Sequence, residues 1–236
     1  MSIAICDGKS SNKIIGGTTV DIENYPYIVS IKWSNWHVCS GNLITSLHVL
    51  TAGSCLIFDN GRTVMSNLVI TAGTNDKLDR FQLGQVRNVE YIIYHEEYTP
   101  QQLWKNDLAI LKLEMSFNVN SVFTRIIGIR TSILNLVLHF KTAGWGNQVR
   151  PIFQLTQYLQ SIIIKNVNKI VCRNMFKSDI HLYQGCSKVG DGGNPLIVDQ
   201  QLVGIVSVYL LTGSRVIVFT NLLGYVNWIE RIVELY

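Results

Sequence analysis

Short runs of β-branched and aromatic residues, separated mostly by Gly, Asn, Asp or Ser, recur along the whole chain. In the first half they predict strands at Tyr27–Lys32, Asn42–Thr45, Val49–Thr51, Leu68–Ala72, Val89–Tyr94 and Leu108–Leu113. In the second half they predict strands at His139–Gly144, Leu159–Ile164, Pro195–Val198, Leu202–Val208 and Val216–Thr220. Many short strands with turn residues between them suit an all-β barrel or sandwich. Helical spacing is clear only at the end, where Val226, Ile229, Val233 and Tyr236 would line one apolar face of a helix over Gly224–Tyr236. A shorter helix is predicted over Asn166–Phe176, and the stretch Ser116–Asn135 reads as a connection between two halves. No repeat or low-complexity tract is visible.

A chain of 236 residues makes one large domain or two small ones, long enough to bury a sizeable core without staples. Charged residues are 15% against a typical ~25%, and hydrophobic residues are 47%. That balance excludes disorder and favours exposed apolar area of the kind that marks partner sites. A net charge of +4 without any Lys/Arg run gives no support for nucleic-acid binding. The longest apolar run, Ile126 to Phe140, is broken by Arg130, Asn135 and His139, so no membrane span is expected. The apolar part of the amino terminus is too short for a signal peptide, so secretion would require that one has been removed. There is no N-x-[ST] acceptor.

The five cysteines are Cys6, Cys39, Cys55, Cys172 and Cys186. None shows C-x-x-C spacing, which argues against a zinc or redox motif. Two structural disulfides and one leftover thiol is the simplest reading, and it implies an oxidising compartment.

Six features occur in order. Lys13-Ile14-Ile15-Gly16-Gly17 opens the folded part, and Leu50-Thr51-Ala52-Gly53-Ser54-Cys55 follows Cys39. Then come Asn106-Asp107-Leu108-Ala109-Ile110, Thr142-Ala143-Gly144-Trp145-Gly146, Gly190-Asp191-Gly192-Gly193-Asn194-Pro195 and the terminal helix. Together they resemble the chymotrypsin/trypsin family of serine proteases from Ile14 to Tyr236. The resemblance implies two six-stranded antiparallel β-barrels with a C-terminal α-helix and a cleft between the barrels. Residues 1–13 would be a propeptide or N-terminal extension, and residues 14–236 the trypsin-like domain. Within it the first barrel would cover about 14–118, the second about 119–222 and the helix about 224–236. The resemblance also pairs Cys39 with Cys55 and Cys172 with Cys186. Cys6 is then free, lost with the propeptide, or paired with another molecule.

The chemistry of that family needs a Ser nucleophile, a His base and a buried Asp that fixes the imidazole. Here the base position is Ser54, the nucleophile position is Gly192, and only the carboxylate, Asp107, is kept. A hydroxyl is a negligible base near neutral pH, and Gly192 has no atom that can attack. Removing such a triad costs ~10⁶ in kcat, about 8–9 kcal/mol, and leaves ~10³–10⁴ over water. The expectation is therefore a degenerate triad and no enzyme, with Asp107 serving as a structural acceptor. His48 and His37 read as packing histidines, and His95, His139 and His181 lack metal-site spacing.

The pocket is altered too. The residue six before the nucleophile, which lines the pocket base in the family, is Cys186 here, and it belongs to the loop disulfide. The family's Ser-Trp-Gly strand reads Ser207-Val208-Tyr209, where Tyr209 replaces the glycine that keeps the mouth open. An occluded primary pocket is expected. The resemblance also implies a cut between Lys13 and Ile14, with the new amine of Ile14 pairing with Asp191. Asp76 and Asp79 lie where some members bind calcium, but two carboxylates do not supply the six to eight oxygens needed, so no metal or other cofactor is expected.

A protease fold without its chemistry points to binding. The loss of His and Ser together with a closed pocket is similar to the scabies mite inactivated protease paralogues. That likeness implies a secreted pseudo-protease that binds extracellular host proteins, complement components among them, and so suppresses innate immunity. The alternative is an immune cofactor or antimicrobial homologue that binds glycans or heparin. It calls for a clustered basic face, whereas the 20 cations are dispersed along the chain.

Overall fold

A computed structural model of the chain describes residues 17–58, 63–132, 139–146, 157–176, 179–188, 192–209 and 216–236. Among these described residues, fifteen strands and two α-helices follow in order. β1 (Thr18–Thr19), β2 (Ile28–Trp33), β3 (Trp36–Leu43), β4 (His48–Thr51), β5 (Ile57–Phe58), β6 (Thr63–Val64), β7 (Leu68–Ala72), β8 (Gln85–Tyr94) and β9 (Ala109–Leu113) make up the first half. The second half holds β10 (His139–Gly144), β11 (Gln160–Val167), α1 (Lys169–Phe176), β12 (Gln184–Lys188), β13 (Pro195–Val198), β14 (Gln201–Tyr209), β15 (Val216–Asn221) and α2 (Val226–Leu235).

Two six-stranded antiparallel barrels result, as the family resemblance implies. The first closes in the order β2-β3-β4-β9-β8-β7. The second runs β11-β10-β13-β14-β15-β12 and closes because β12 also pairs with β11. β1 is an added strand on β11, with Thr18 opposite Ser161, so the start of the described chain is tied to the second barrel. Closure removes the unpaired sheet edges that would otherwise template aggregation.

The interior of the second barrel is filled by Phe140, Ile164, Leu196, Val206, Ile217 and Phe219. A larger cluster joins the first barrel's Ile31, Leu50, Ile70 and Leu111 to Trp145, Leu222 and the terminal helix. The buried face of α2 is Trp228, Ile229 and Ile232, about one residue round from the predicted face; Val226 and Val233 are half-buried and Tyr236 is exposed. Polar anchoring sets that rotation. Trp228 Nε1–H donates to Glu96 Oε2 at 2.7 Å, and Arg231 Nη2 reaches Glu96 Oε1 at 2.7 Å. The Trp228 ring also lies 5.0 Å from the His95 ring. The helix thus straps the end of the chain onto the first barrel. Glu96 is held down at about 2, by its backbone hydrogen bond first and by Arg231 next.

Two sequence expectations miss for identifiable reasons. The strand expected at Asn42–Thr45 is the end of β3, because Thr45 Oγ1 turns back to accept from the N–H groups of Leu47 and His48. β12 has no apolar pattern at all. It is a strand because β11 and β15 flank it, with Ser187 opposite Asn166 and Gly185 opposite Phe219. Both expected disulfides form, Cys39–Cys55 in the first barrel and Cys172–Cys186 between α1 and β12.

His37 is buried in β3, with Nδ1 2.8 Å from Ser30 Oγ and its ring edge-on to Trp145. Burial, aided by Lys77 and Lys32, holds its imidazole down at about 3. The unfolded chain takes up that proton near pH 6.5, so between about pH 6.5 and 3 the unfolded state binds more protons. Stability therefore falls as pH drops through this window, by about 1.4 kcal/mol per pH unit from this group. Urea unfolding should show that slope, and a His37→Gln variant should flatten it by about one proton. An unchanged slope in the variant would refute the assignment.

Candidate functional site

Asp107 stands just before β9, at the end of a turn whose backbone is held in an unusual form. Leu103, Trp104 and Asn106 all have left-handed backbone, at φ 52°, 52° and 56°. Non-glycine residues there store strain of order 1 kcal/mol or more each, so tertiary contacts must hold them. Gln184, from β12 of the second barrel, donates from Nε2 to the carbonyls of Leu103 at 2.7 Å and Trp104 at 3.2 Å. Tyr225 Oη–H donates to Asn106 Oδ1 at 2.7 Å, and Asn106 Nδ2 donates to the Glu97 carbonyl at 3.0 Å. Leu103 itself packs beside the Cys172–Cys186 cluster. A first-barrel loop is thus clasped by the second barrel, and Asp107 is delivered to the seam.

Ser54 sits in the short 3-10 turn Gly53–Cys55 that follows β4. Its N–H donates to Asp107 Oδ1 at 2.6 Å and its hydroxyl donates to Oδ2 at 2.7 Å. Ser207 of β14 donates its hydroxyl to the same Oδ2. Asp107 is fully buried. Burial pushes its carboxyl up, and the hydrogen bonds from Ser207, Ser54 and Gly53 pull the other way. Both oxygens are therefore occupied by short local donors. Ser54 and Asp107 are brought together, and Ser207, expected in the pocket wall, joins them through its bond to Asp107.

Gly192 faces the same seam. A Cβ built there would lie 3.3 Å from Cys55 Sγ, 3.4 Å from Cys39 Sγ and 3.4 Å from the Ser207 carbonyl, at the tight edge of ordinary contact. Its backbone is not in the left-handed region, so conformation does not demand glycine here, and a Cβ would need its neighbours to give by a few tenths of an ångström. Gly193 is the opposite case, at φ 78° with Ser40 O only 2.0 Å from its absent Cβ. That close approach carries the inter-barrel bonds Ser40 N–H to Gly192 O at 3.4 Å and Asn42 Nδ2–H to Gly193 O at 3.1 Å.

Lys13, Ile14 and Asp191, the residues of the expected cleavage and N-terminal pairing, lie outside the described residues, as do Cys6 and Gly190. The backbones of Val208 and Tyr209 belong to β14, with Tyr209 opposite Ile217 after a bulge. The side chains of Val208 and Tyr209, on which the expected pocket occlusion turns, lie outside the described residues.

His48 and His95 are held by packing and local hydrogen bonds. His48 Nδ1 is 2.7 Å from Thr45 Oγ1, and His95 Nδ1 accepts from the Glu97 N–H at 3.2 Å. Burial lowers the pKa of both. In the loop after β7, Asp76 Oδ2 takes Arg80 Nε at 2.8 Å, and Asp79 Oδ1 accepts from the N–H groups of Leu83 and Gly84 at 3.0 Å each. Among the described residues no cluster of three metal-ligating side chains occurs. No described helix is long and apolar enough to cross a membrane. Sequence reading missed Gln184 and Tyr225, which hold the turn before Asp107. Neither lies in a motif, and only the tertiary fold brings them to the turn.

Solved structures share this architecture. Mouse neuropsin, a serine protease expressed in the limbic system of the brain, superposes with a TM-score of 0.79 at 19% identity, over 92% of this chain and 99% of its own. That identity speaks for the fold. The structure of GrC gives a TM-score of 0.78 at 25% identity, over 93% and 99%. Among sequence relatives, Trypsin II-P29 of Gallus gallus is 26% identical, covering 100% of this chain and 95% of its own. Serine protease SP24D of Anopheles gambiae is 28% identical over 95% and 82%. The trypsin family model matches residues 14–229, which span both barrels and the first turn of the terminal helix. The chain therefore belongs to the trypsin family of serine proteases.

Proposed function

We propose that this protein is a secreted, non-catalytic member of the trypsin family that acts by binding other proteins, with host complement components as its partners. The observation that carries the reading is Gly192. A Cβ at that position would need its neighbours to give by only a few tenths of an ångström, and the chain places none there. Triad chemistry needs an attacking atom and a base, and Ser54 instead spends its hydroxyl proton on Asp107. What remains is a two-barrel scaffold whose low charge and exposed apolar side chains suit a binding role.

The test is hydrolysis of a broad peptide library by the protein cleaved after Lys13, with the Ser54→His, Gly192→Ser double variant alongside. The natural protein is expected to be silent at every position, with saturable binding to purified serum complement proteins. Turnover above the contaminant level would overturn the non-catalytic reading. Salt-sensitive retention on heparin without complement binding would move the partner to glycans.

A further inference from the structure

Two lysines far apart in sequence, Lys141 and Lys165, stand beside His139 and Ile163 on the second barrel. β10 and β11 pair with His139 opposite Lys165 and Lys141 opposite Ile163. The intervening pair, Phe140 and Ile164, is buried in the barrel, so these four side chains share the outer face. Cross-strand neighbours stand ~5 Å apart and next-but-one neighbours on a strand about 7 Å apart, so the four form one compact square. Ile163, one of its corners, is 63% exposed. Among the described residues, the ion pairs formed by carboxylates involve Arg80, Lys112, Arg130, Arg173 and Arg231, and none reaches this face.

Lys141 and Lys165 stand diagonally across the ladder with no carboxylate ion pair among the described residues, and an isoleucine left in water gains nothing for folding. Both features become favourable against a surface that is acidic and apolar together. We infer that the outer face of β10 and β11, formed by His139, Lys141, Ile163 and Lys165, is a docking site for an acidic protein segment carrying an apolar side chain. This inference deepens the protein-binding reading above and rests on it. Charge complementarity sets the sign of the partner. Ile163 selects its class. A sulfated glycan offers anions but no apolar socket, and a bilayer needs a broader apolar face than one side chain supplies. Against a protein, a buried apolar contact ringed by charge is the ordinary anatomy of an interface centre.

The test measures binding of the full chain to poly(Glu,Leu) and to poly(Glu), with a heparin hexasaccharide and phosphatidylserine vesicles as competing probes. The copolymer should bind about tenfold more tightly than poly(Glu), and affinity should fall as salt rises. Reversing two charges, Lys141→Glu with Lys165→Glu, should weaken copolymer binding by roughly tenfold or more. Ile163→Ser should remove the preference for the copolymer while leaving poly(Glu) binding intact. All three positions are solvent-facing, so unchanged circular dichroism and Tm are expected. Equal binding by natural protein and variants would overturn the site. Heparin or vesicle binding that exceeds copolymer binding and ignores Ile163→Ser would overturn the choice of partner. The same preparations enter the peptide-library assay. Turnover there would defeat the non-catalytic reading even if the face binds, and loss of binding without turnover would defeat only this site.

Discussion

Gly193→Ala is expected to leave little or no folded protein, whereas Gly192→Ala one residue earlier should fold almost normally. At Gly193 two costs add. Its φ of 78° suits glycine, and a Cβ there costs about 1–2 kcal/mol of backbone strain. That Cβ would also stand 2.0 Å from Ser40 O and 2.6 Å from Thr51 Oγ1. Both atoms belong to buried strands of the first barrel, and Thr51 Oγ1–H already donates to Ser40 O at 2.8 Å. Neither is the end of a flexible side chain, so the barrels must move apart, at roughly 1–3 kcal/mol or more. The sum, about 2–5 kcal/mol, is a large fraction of a domain's ~5–15 kcal/mol. At Gly192 the nearest atoms are at 3.3 Å or beyond, and the cost should stay within about 1 kcal/mol. Soluble yield and thermal unfolding of the two variants check the contrast. A Gly193→Ala protein within a few degrees of the natural Tm would contradict it.

Asp107→Leu should destabilise by about 3–5 kcal/mol, and Asp107→Asn by less than ~2 kcal/mol. Leucine strands several buried donors at once, the N–H of Ser54 and the hydroxyls of Ser54 and Ser207. Asparagine keeps an oxygen where Oδ1 accepts the Ser54 N–H, which cannot reverse its role. Its amide nitrogen then replaces Oδ2, whose partners are both hydroxyls that can rotate to accept. The substitution also removes a charge that burial disfavours. The assignment of Asp107 to structure thus makes a distinctive demand: the conservative amide should rescue most of the stability lost in the leucine variant. Urea unfolding of both proteins measures it, and equal losses would count against the assignment.

Much of the fold was legible because its strands are marked locally. The runs at Leu68–Ala72, His139–Gly144 and Pro195–Val198 coincide with β7, β10 and β13, since β-branched apolar residues bounded by turn residues have few alternatives. β12 was not legible, because Gln184–Lys188 has no pattern of its own and is made a strand by its neighbours. The face of α2 was read one residue off for a related reason. Apolar spacing allows Val226, Val233 and Tyr236 inside, but the bonds from Trp228 and Arg231 to Glu96 fix the rotation. At the candidate site, Ser54, Asp107 and Gly192 were found through short motifs, whereas Gln184 and Tyr225 carry no signal near Asp107 in sequence.

The sequence by itself determined the chemistry available. It supplies Ser54, Asp107 and Gly192 in the motifs that the family resemblance reads as triad positions, and five cysteines, because these depend only on which atoms the chain carries and in what order. The tertiary structure decided where those atoms stand. It turned the Ser54 and Ser207 hydroxyls onto Asp107, clasped a strained first-barrel loop with Gln184, and left nearly enough space for a Cβ at Gly192 but none at Gly193. It also drew His139, Lys141 and Lys165 onto one face around Ile163. Each of these is a contact between residues far apart in the chain, and antiparallel register and barrel closure, rather than local preference, set such distances.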